Sequence, residues 1–308
     1  MRNAFCSAMQ TLAETVDYAF LTGDLGFMAL EPLQQALGDR FVNAGVAEQN
    51  MVTVAAGMAR TGFQCWAYSI APFIYARPFE QVRNDVCFHD ADVKLVGNGG
   101  GYGYGVMGPT HHALEDYGVL LTLPGLRVHI PIFASDLAEI VPRMAADRHP
   151  AYLRLGRCER PPGYVPPAYA PWRRLLDGER GVLVIAGPLA GPVVARALET
   201  PATARPAIWG LSELSAGGLA PPAELLQEIA RHDALVVAEE HCAHGGVGQM
   251  LALELGVRGG LPRRFQACAA RGYPTGLYGS QAYHRAASGL DPASVLDAVN
   301  ALMDRKAT

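Results

Sequence analysis

The chain has no uninterrupted apolar run approaching the ~20 residues of a membrane span. Its opening, Met1-Arg2-Asn3-Ala4-Phe5, lacks the long apolar core and small-residue cleavage pattern of a leader, so a cytoplasmic protein is expected. Basic runs are missing too. With 25 Lys and Arg against 29 Asp and Glu, the formal charge is -4, and no stripe exists to neutralise a row of phosphates, which excludes nucleic acid as the expected partner. Cys6, Cys65, Cys87, Cys158, Cys242 and Cys268 are scattered without close pairs, a pattern of buried reduced thiols and not of a disulfide frame or zinc site. Internal repeats and low-complexity blocks are absent.

What is present is a chain of 308 residues, 50% hydrophobic, enough for two cored domains. Phe5, Met9, Leu12 and Val16 recur at helical spacing, and the apolar Ala19-Phe20-Leu21 breaks into a turn at Thr22-Gly23-Asp24-Leu25-Gly26. Strands are then predicted at 41–43, 64–70, 93–96, 126–130 and 151–155, with helices at 47–60, 79–88, 113–121 and 135–146 between them. That alternation implies an α/β fold: a mostly parallel sheet with helices on both faces. The proline-rich Arg160-Pro161-Pro162-Gly163-Tyr164-Val165-Pro166-Pro167 cannot continue a helix or a central strand. It marks a linker over 161–175 between a domain at 1–160 and a second at 176–308. The second repeats the architecture, with continuous apolar strands at 181–187 and 234–238 and a helix at 223–230.

In a parallel sheet, ligands bind beyond the carboxyl ends of the strands, which directs attention to three places. Glu48, in Gly45-Val46-Ala47-Glu48-Gln49-Asn50, falls in the first turn of a helix, where a carboxylate either complements the helix dipole or does chemistry. The run from Asn98 to His112 holds Gly103, Gly105 and Gly108 in a G-x-G-x-x-G pattern, but starts several residues after its strand and is followed by Pro109, a poor match to a dinucleotide site. Such a run permits close approach to a ligand or forms a flexible loop, and the residues alone leave both open. The adjacent His111 and His112 favour function for at least one of them. Arg154 and Arg157 end a strand as anion ligands or as members of internal ion pairs. His241 and His244 have metal-compatible spacing without a supporting cluster, so a helix-start loop is the better reading.

The ordered strings Gly23-Asp24-Leu25-Gly26, Phe41-Val42-Asn43-Ala44-Gly45-Val46-Ala47-Glu48-Gln49-Asn50, Tyr68-Ser69-Ile70-Ala71-Pro72-Phe73 and Gly108-Pro109-Thr110-His111-His112 resemble the pyrimidine-binding domain of the transketolase family. Ala238-Glu239-Glu240-His241-Cys242-Ala243-His244-Gly245-Gly246-Val247-Gly248 is similar to a stretch of the family's C-terminal domain. Together they cover essentially the whole chain. The resemblance implies a subunit of a split transketolase, dependent on thiamine diphosphate (ThDP), that transfers a two-carbon ketol unit or forms an α-hydroxyketone.

By the same resemblance Glu48 would bond N1′ of the aminopyrimidine and favour the imino tautomer that deprotonates the thiazolium, a relay an amide could not perform. Phe73 would stack on the pyrimidine, Tyr68 would flank it, and Asp24 would place negative charge near the thiazolium across a subunit interface. His111 would contact substrate oxygens, with His112, Arg77 and Arg157 as further substrate ligands.

Two positions depart from the family pattern. Met107 stands where an aspartate precedes Gly-Pro-Thr-His, and Gly99 where a histidine assists sugar-phosphate binding, so the pentose phosphate reaction is not assigned. The Gly-Asp-Gly string that would bring Mg²⁺ to the diphosphate is missing as well. A partner subunit carrying the diphosphate domain and metal is therefore expected, in an α2β2 assembly with β–β contact. The alternatives are the β subunit of a 2-oxo acid dehydrogenase, which shares the layout, and a NAD-binding or non-catalytic interaction subunit.

Overall fold

The computed structural model describes residues 1–26, 29–157 and 160–305; Cys158 lies outside them. Strands β1 (Tyr18–Thr22), β2 (Phe41–Asn43), β3 (Gln64–Ile70), β4 (Val93–Asn98), β5 (Arg127–His129) and β6 (Ala151–Leu155) form the first sheet, all mutually parallel. The second sheet contains β7 (Trp172–Leu176), β8 (Val182–Ala186), β9 (Ala207–Leu211), β11 (Ala234–Ala238) and β12 (Arg264–Cys268), and is parallel except for the edge strand β7. Between β9 and β11 in the chain, β10 (Glu213–Ser215) returns to the first sheet and pairs antiparallel with β5, which gives the order β10-β5-β6-β4-β3-β1-β2.

Two differences from the sequence reading follow. The second sheet begins at Trp172, inside the segment expected as linker. The first sheet borrows an edge strand from the second half of the chain: Glu213-Leu214-Ser215 covers β5 and buries Leu214 in doing so.

The helices of the first half are α1 (Arg2–Ala13), α2 (Glu31–Leu37), α3 (Glu48–Arg60), α4 (Ala71–Tyr75), α5 (Phe79–Gln81), α6 (Asp116–Leu120) and α7 (Leu137–Ala146). Those of the second half are α8 (Ala190–Ala197), α9 (Ala223–His232), α10 (Val247–Val257), α11 (Gln281–Ser288) and α12 (Pro292–Asp304). The helix predicted over 79–88 becomes α5 followed by a π-helical turn, Val82–Cys87. That over 113–121 shortens to α6, because Ala113 exchanges both backbone hydrogen bonds with Gly101 across an isolated bridge.

Alternation along β3 assigns the two faces of the first sheet. Trp66 and Tyr68 point into an aromatic core with Phe5, Met9, Phe20 and Leu33 under α1, α2 and α7. Cys65 and Ala67 point the other way, into a core with Met51, Val52, Ala55 and Ala56 of α3. That second core runs on without a break into the second sheet, reaching Val184, Val237 and Leu251. On the far face of the second sheet, Tyr102, Leu114 and Phe133 of the first half pack with α8 and α12. Each such large side chain contributes about 1.5–3 kcal/mol on burial, so the two sheets share one folded unit. A bidentate pair adds to the joint: Arg173 on β7 donates to both oxygens of Asp136, one of which also accepts from the backbone of Ile132 and Phe133.

Among the described residues no helix is long and apolar enough to cross a membrane. Cys6, Cys65, Cys87, Cys242 and Cys268 are free thiols.

Candidate active site

The chain leaves β1 and crosses to β2 on one side, then passes back over β1 to reach β3 on the other, so the strand order reverses between β1 and β3. A crevice opens beyond the carboxyl ends of strands at such a point. Gly23, which follows β1, marks its floor. A side-chain carbon there would sit 3.6 Å from Ser69 Oγ, 3.6 Å from Gly45 O and 3.8 Å from Glu48 Cγ. The loop is shaped by Asn43 at the end of β2, whose Oδ1 accepts from the backbone of Gly45 (2.9 Å) and Asp24 (3.2 Å) while its Nδ2 donates to Asp24 Oδ1 (2.9 Å). Asp24 itself is exposed and left-handed, with φ 52°. No sequence motif pointed to this positioning role of Asn43; its place in register with Thr22, beside the Asp24 turn, is the signal that would have found it.

The loop delivers Glu48 to the first position of α3, where unpaired backbone N–H groups favour a carboxylate. Glu48 is 4% exposed. Its two oxygens accept from Arg77 Nη1 at 3.1 and 3.0 Å. The same guanidinium has its Cζ 3.7 Å over the Phe73 ring centroid, because Phe73 on α4 and Arg77 just beyond it are four residues apart and share a face. His111 meets the other side of this group, edge-on to Phe73 at 5.2 Å, with Thr110 Oγ1 on its Nδ1 at 2.9 Å and Tyr104 at 5.8 Å. Glu48, Arg77, Phe73 and His111 are thus brought together. Val46, Ala47, Glu48, Gln49, Asn50 and Arg77 line a cleft of about 440 Å³.

Three expected site residues are placed elsewhere. Tyr68 is fully buried on the opposite face of the sheet, packed against Phe5 and Phe20, since side chains alternate along β3; its neighbour Ser69 faces the crevice instead. Burial pushes the Tyr68 hydroxyl well above its ordinary pKa. His112 is 3% exposed and both ring nitrogens are engaged, one with Tyr273 Oη (2.8 Å) and one with Gly105 O (2.8 Å), so it joins the two halves and does not face substrate. Arg157 is exposed, beside Gly100 and Arg285 at the seam between the halves. Arg154 is the internal ion pair: it is buried, with Nε on Asp116 at 2.7 Å and Nη2 on the carbonyls of Ala113 and Glu240.

The glycine-rich run is a packed joint. Glu240, from the second half, accepts from the Tyr102 backbone (2.6 Å), Gln281 (2.8 Å) and Arg285 (2.5 Å). Gly101 has φ +64°, and a side-chain carbon there would lie 2.5 Å from Glu240 Oε1, so only glycine admits the carboxylate. The triplet Gly103, Gly105 and Gly108 spans a 3-10 turn (Gly105–Met107) covered by the backbone of residues 279–281, with no strand-to-helix turn to cradle a pyrophosphate. The NAD reading falls with it.

The Glu-Glu-His stretch is structural in the same way. Glu239 caps α10 by accepting from Val247 and Gly248, and takes the Tyr117 hydroxyl as well; burial pushes its carboxyl up while these donors pull it down. His241 stacks on Tyr117 at 3.7 Å, donates through Nδ1 to Cys242 O (2.7 Å) and accepts at Nε2 from the Gly118 backbone (3.2 Å). Burial lowers its pKa to about 4, which fixes the ring neutral. Among the described residues no group of three or more His, Cys, Asp or Glu could hold a metal ion.

The residues of the crevice fit an aminopyrimidine. Ser69 Oγ is buried and has no hydrogen-bond partner among the described residues, Glu48 offers a buried acceptor, and the planar, hydrogen-bonding guanidinium of Arg77 already touches both Glu48 and the Phe73 ring. A heterocycle with ring nitrogens fits that set.

Comparison with known proteins identifies the family. Residues 1–161 match the model of the family described as transketolase, pyrimidine binding domain. The chain is 34% identical over 165 residues, 53% of each chain, to a subunit of the apulose-4-phosphate transketolase of Phocaeicola vulgatus. It is 34% identical over 273 residues, 82% of this chain and 74% of the other, to an uncharacterised transketolase-family protein of Sinorhizobium fredii. A solved split-gene transketolase, described as an inactive β4 tetramer, superimposes with TM-score 0.79 at 28% identity, over 98% of this chain and 97% of that one. The matched pyrimidine-binding domain, the two-sheet architecture shared end to end and the Glu48 crevice at the strand reversal all agree: the chain belongs to the transketolase family.

Proposed function

We propose that the chain is the pyrimidine-binding subunit of a split, ThDP-dependent transketolase that moves a two-carbon ketol unit to an aldehyde acceptor. The observation that carries this reading is Glu48: a carboxylate 4% exposed at a helix N-terminus, bonded to a guanidinium that itself lies 3.7 Å over the Phe73 ring. Relatives named as transketolase subunits, and a split-gene transketolase chain of the same extent, support the assignment to one half of a divided enzyme. Diphosphate and Mg²⁺ are assigned to a partner subunit, since the chain has no Gly-Asp-Gly string, and the assembly is taken as α2β2 with contact between the two copies of this chain. The cytoplasmic location and an unassigned ketose or 2-oxo acid donor belong to the same proposal.

When bound, the cofactor supplies the electron sink that lets a carbon–carbon bond beside a carbonyl break and re-form. Glu48 would share a proton with a ring nitrogen of the bound pyrimidine, and its burial would keep water from competing for that proton. Phe73 gives the ring a flat apolar wall. Ser69 Oγ, without a partner of its own among the described residues, is a ready hydrogen-bonding group for the same heterocycle. His111 has Nδ1 occupied by Thr110, which leaves Nε2 to bond a substrate oxygen and to stabilise negative charge that develops there. Asp24, held by Asn43, places its carboxylate at the rim toward a neighbouring subunit.

The test is reconstitution of the chain with its diphosphate-binding partner, ThDP, Mg²⁺ and a panel of ketose donors. Ketol transfer that Glu48→Ala abolishes is the expected result. Release of CO₂ from a 2-oxo acid in place of ketol transfer would assign the pair to the decarboxylating relatives, and full activity of Glu48→Ala would remove the role given to that residue.

A further inference from the structure

Resting on the reading just proposed, one contact carries further: the pairing of Arg77 with Glu48. The guanidinium is planar, donates to both Glu48 oxygens and lies 3.7 Å over Phe73. A hydrogen-bond donor toward the carboxylate and a flat face against the aromatic ring are the two features the slot asks of an aminopyrimidine. The pair is lopsided: the Glu48 side chain is 4% exposed and that of Arg77 46%. Leaving a buried carboxylate without a partner is costly, whereas moving a half-exposed arginine into water is not.

We propose that Arg77 is an internal surrogate ligand, occupying the aminopyrimidine slot in the free chain and displaced from it by the cofactor's ring. The incoming heterocycle exchanges with the guanidinium, so Glu48 keeps a partner throughout. Displacement also creates something. The guanidinium contacts Glu48 and Phe73, and both contacts pass to the ring, so a cation is set free at the mouth of the cleft of about 440 Å³. A free guanidinium there binds an anionic group in two-pronged fashion. Entry of the cofactor and binding of an anionic substrate therefore reinforce each other through one side chain, and the reinforcement is reciprocal. The free chain is by the same contact guarded against anions binding before the cofactor is in place.

The experiment uses the full chain and calorimetric titration with 4-amino-2,5-dimethylpyrimidine, the aminopyrimidine portion alone. Arg77→Met keeps the apolar stem and removes the competing donor; it should bind the probe about tenfold more tightly than the unaltered chain, because no occupied fraction has to be cleared first. Arg77→Lys, still charged but neither planar nor forked, should fall between them. Inorganic phosphate should bind the unaltered chain more tightly once the probe is saturating, and Arg77→Met should show no such gain. Thermal unfolding of each variant verifies the fold: Arg77→Met lowers the midpoint by stranding Glu48, and the binding comparison is made below that midpoint, where the variant is folded. Equal or weaker probe binding by Arg77→Met, or phosphate binding indifferent to the probe, would overturn the surrogate role while leaving the functional reading in place. If neither the unaltered chain nor Arg77→Met takes up the probe, the functional reading and the surrogate role fall together.

Discussion

Glu48 and Glu240 are both buried, both bonded to an arginine and both near the carboxyl ends of strands, yet they differ in what remains unsatisfied around them. Glu240 is enclosed by the Tyr102 backbone, Gln281 and Arg285, and its neighbours Glu239, His241 and His112 likewise have their polar atoms bonded within the chain. Around Glu48 the count does not close. Its arginine is half exposed, and Ser69 Oγ nearby has no partner among the described residues. Acids, histidines and arginines occur in both places. Unpartnered buried atoms occur in the joint too, as at Asp116 Oδ1 and Arg173 Nε, so what sets the Glu48 cluster apart is that its partner is half exposed and it opens into a cleft.

Several changes would break or sharpen that contrast. Glu48→Gln keeps the shape and removes the proton relay, so turnover of the reconstituted enzyme should fall on the order of 10³-fold with an unchanged fold, as read by kcat and a thermal scan. Glu240→Ala should do the reverse, costing about 3 kcal/mol of stability by stranding Arg285 and the Tyr102 N–H in the joint. Denaturant unfolding followed by tryptophan fluorescence measures it, and a stability loss below about 1 kcal/mol would show that the joint is not held as described.

The joint should also respond to acid. Burial holds His241 and His129 near a pKa of about 4, below the ordinary value of about 6.5 that the unfolded chain recovers. The unfolded state therefore takes up protons first as pH falls. Stability is fully present above about pH 6.5 and lost on the way to about pH 4, by about 3 kcal/mol for each histidine. The His241→Gln variant should flatten that slope in a pH series of denaturation midpoints.

The adjacent histidines offer the sharpest internal control. His112→Ala should lower stability by about 2 kcal/mol, because Tyr273 Oη and Gly105 O lose their shared partner. His111→Ala should leave stability within about 0.5 kcal/mol and reduce turnover by about 10²-fold. Equal effects of the two on stability would erase the distinction. Smallest of all is Ser69→Ala, expected within about 0.5 kcal/mol in stability since no hydrogen bond is lost, but measurable as weaker binding of the aminopyrimidine probe.

Much of the fold was legible in the residues. Strands β2, β3, β6 and β11 lie where short, mostly apolar or β-branched runs placed them; only β11, buried along its whole length, is apolar throughout. That Glu48, Phe73 and His111 would lie near one another was legible through the order of their motifs. The face that Tyr68 takes was not legible, because position in a motif does not say to which side of a strand a side chain points. His112 and the glycine run were misread because their partners, Tyr273 and Glu240, lie more than a hundred residues away in the chain.

The sequence by itself determined the main strands and helices around the site, since local periodicity and turn chemistry are written in neighbouring residues, but not β7, β10 or the true extent of α5 and α6. It also settled that a carboxylate would begin α3. Only the tertiary structure decided which polar groups have their bonding completed and which do not. That outcome depends on residues from distant segments meeting at fixed distances: Glu240 against Gly101, β10 against β5, and Arg77 lying between Glu48 and Phe73.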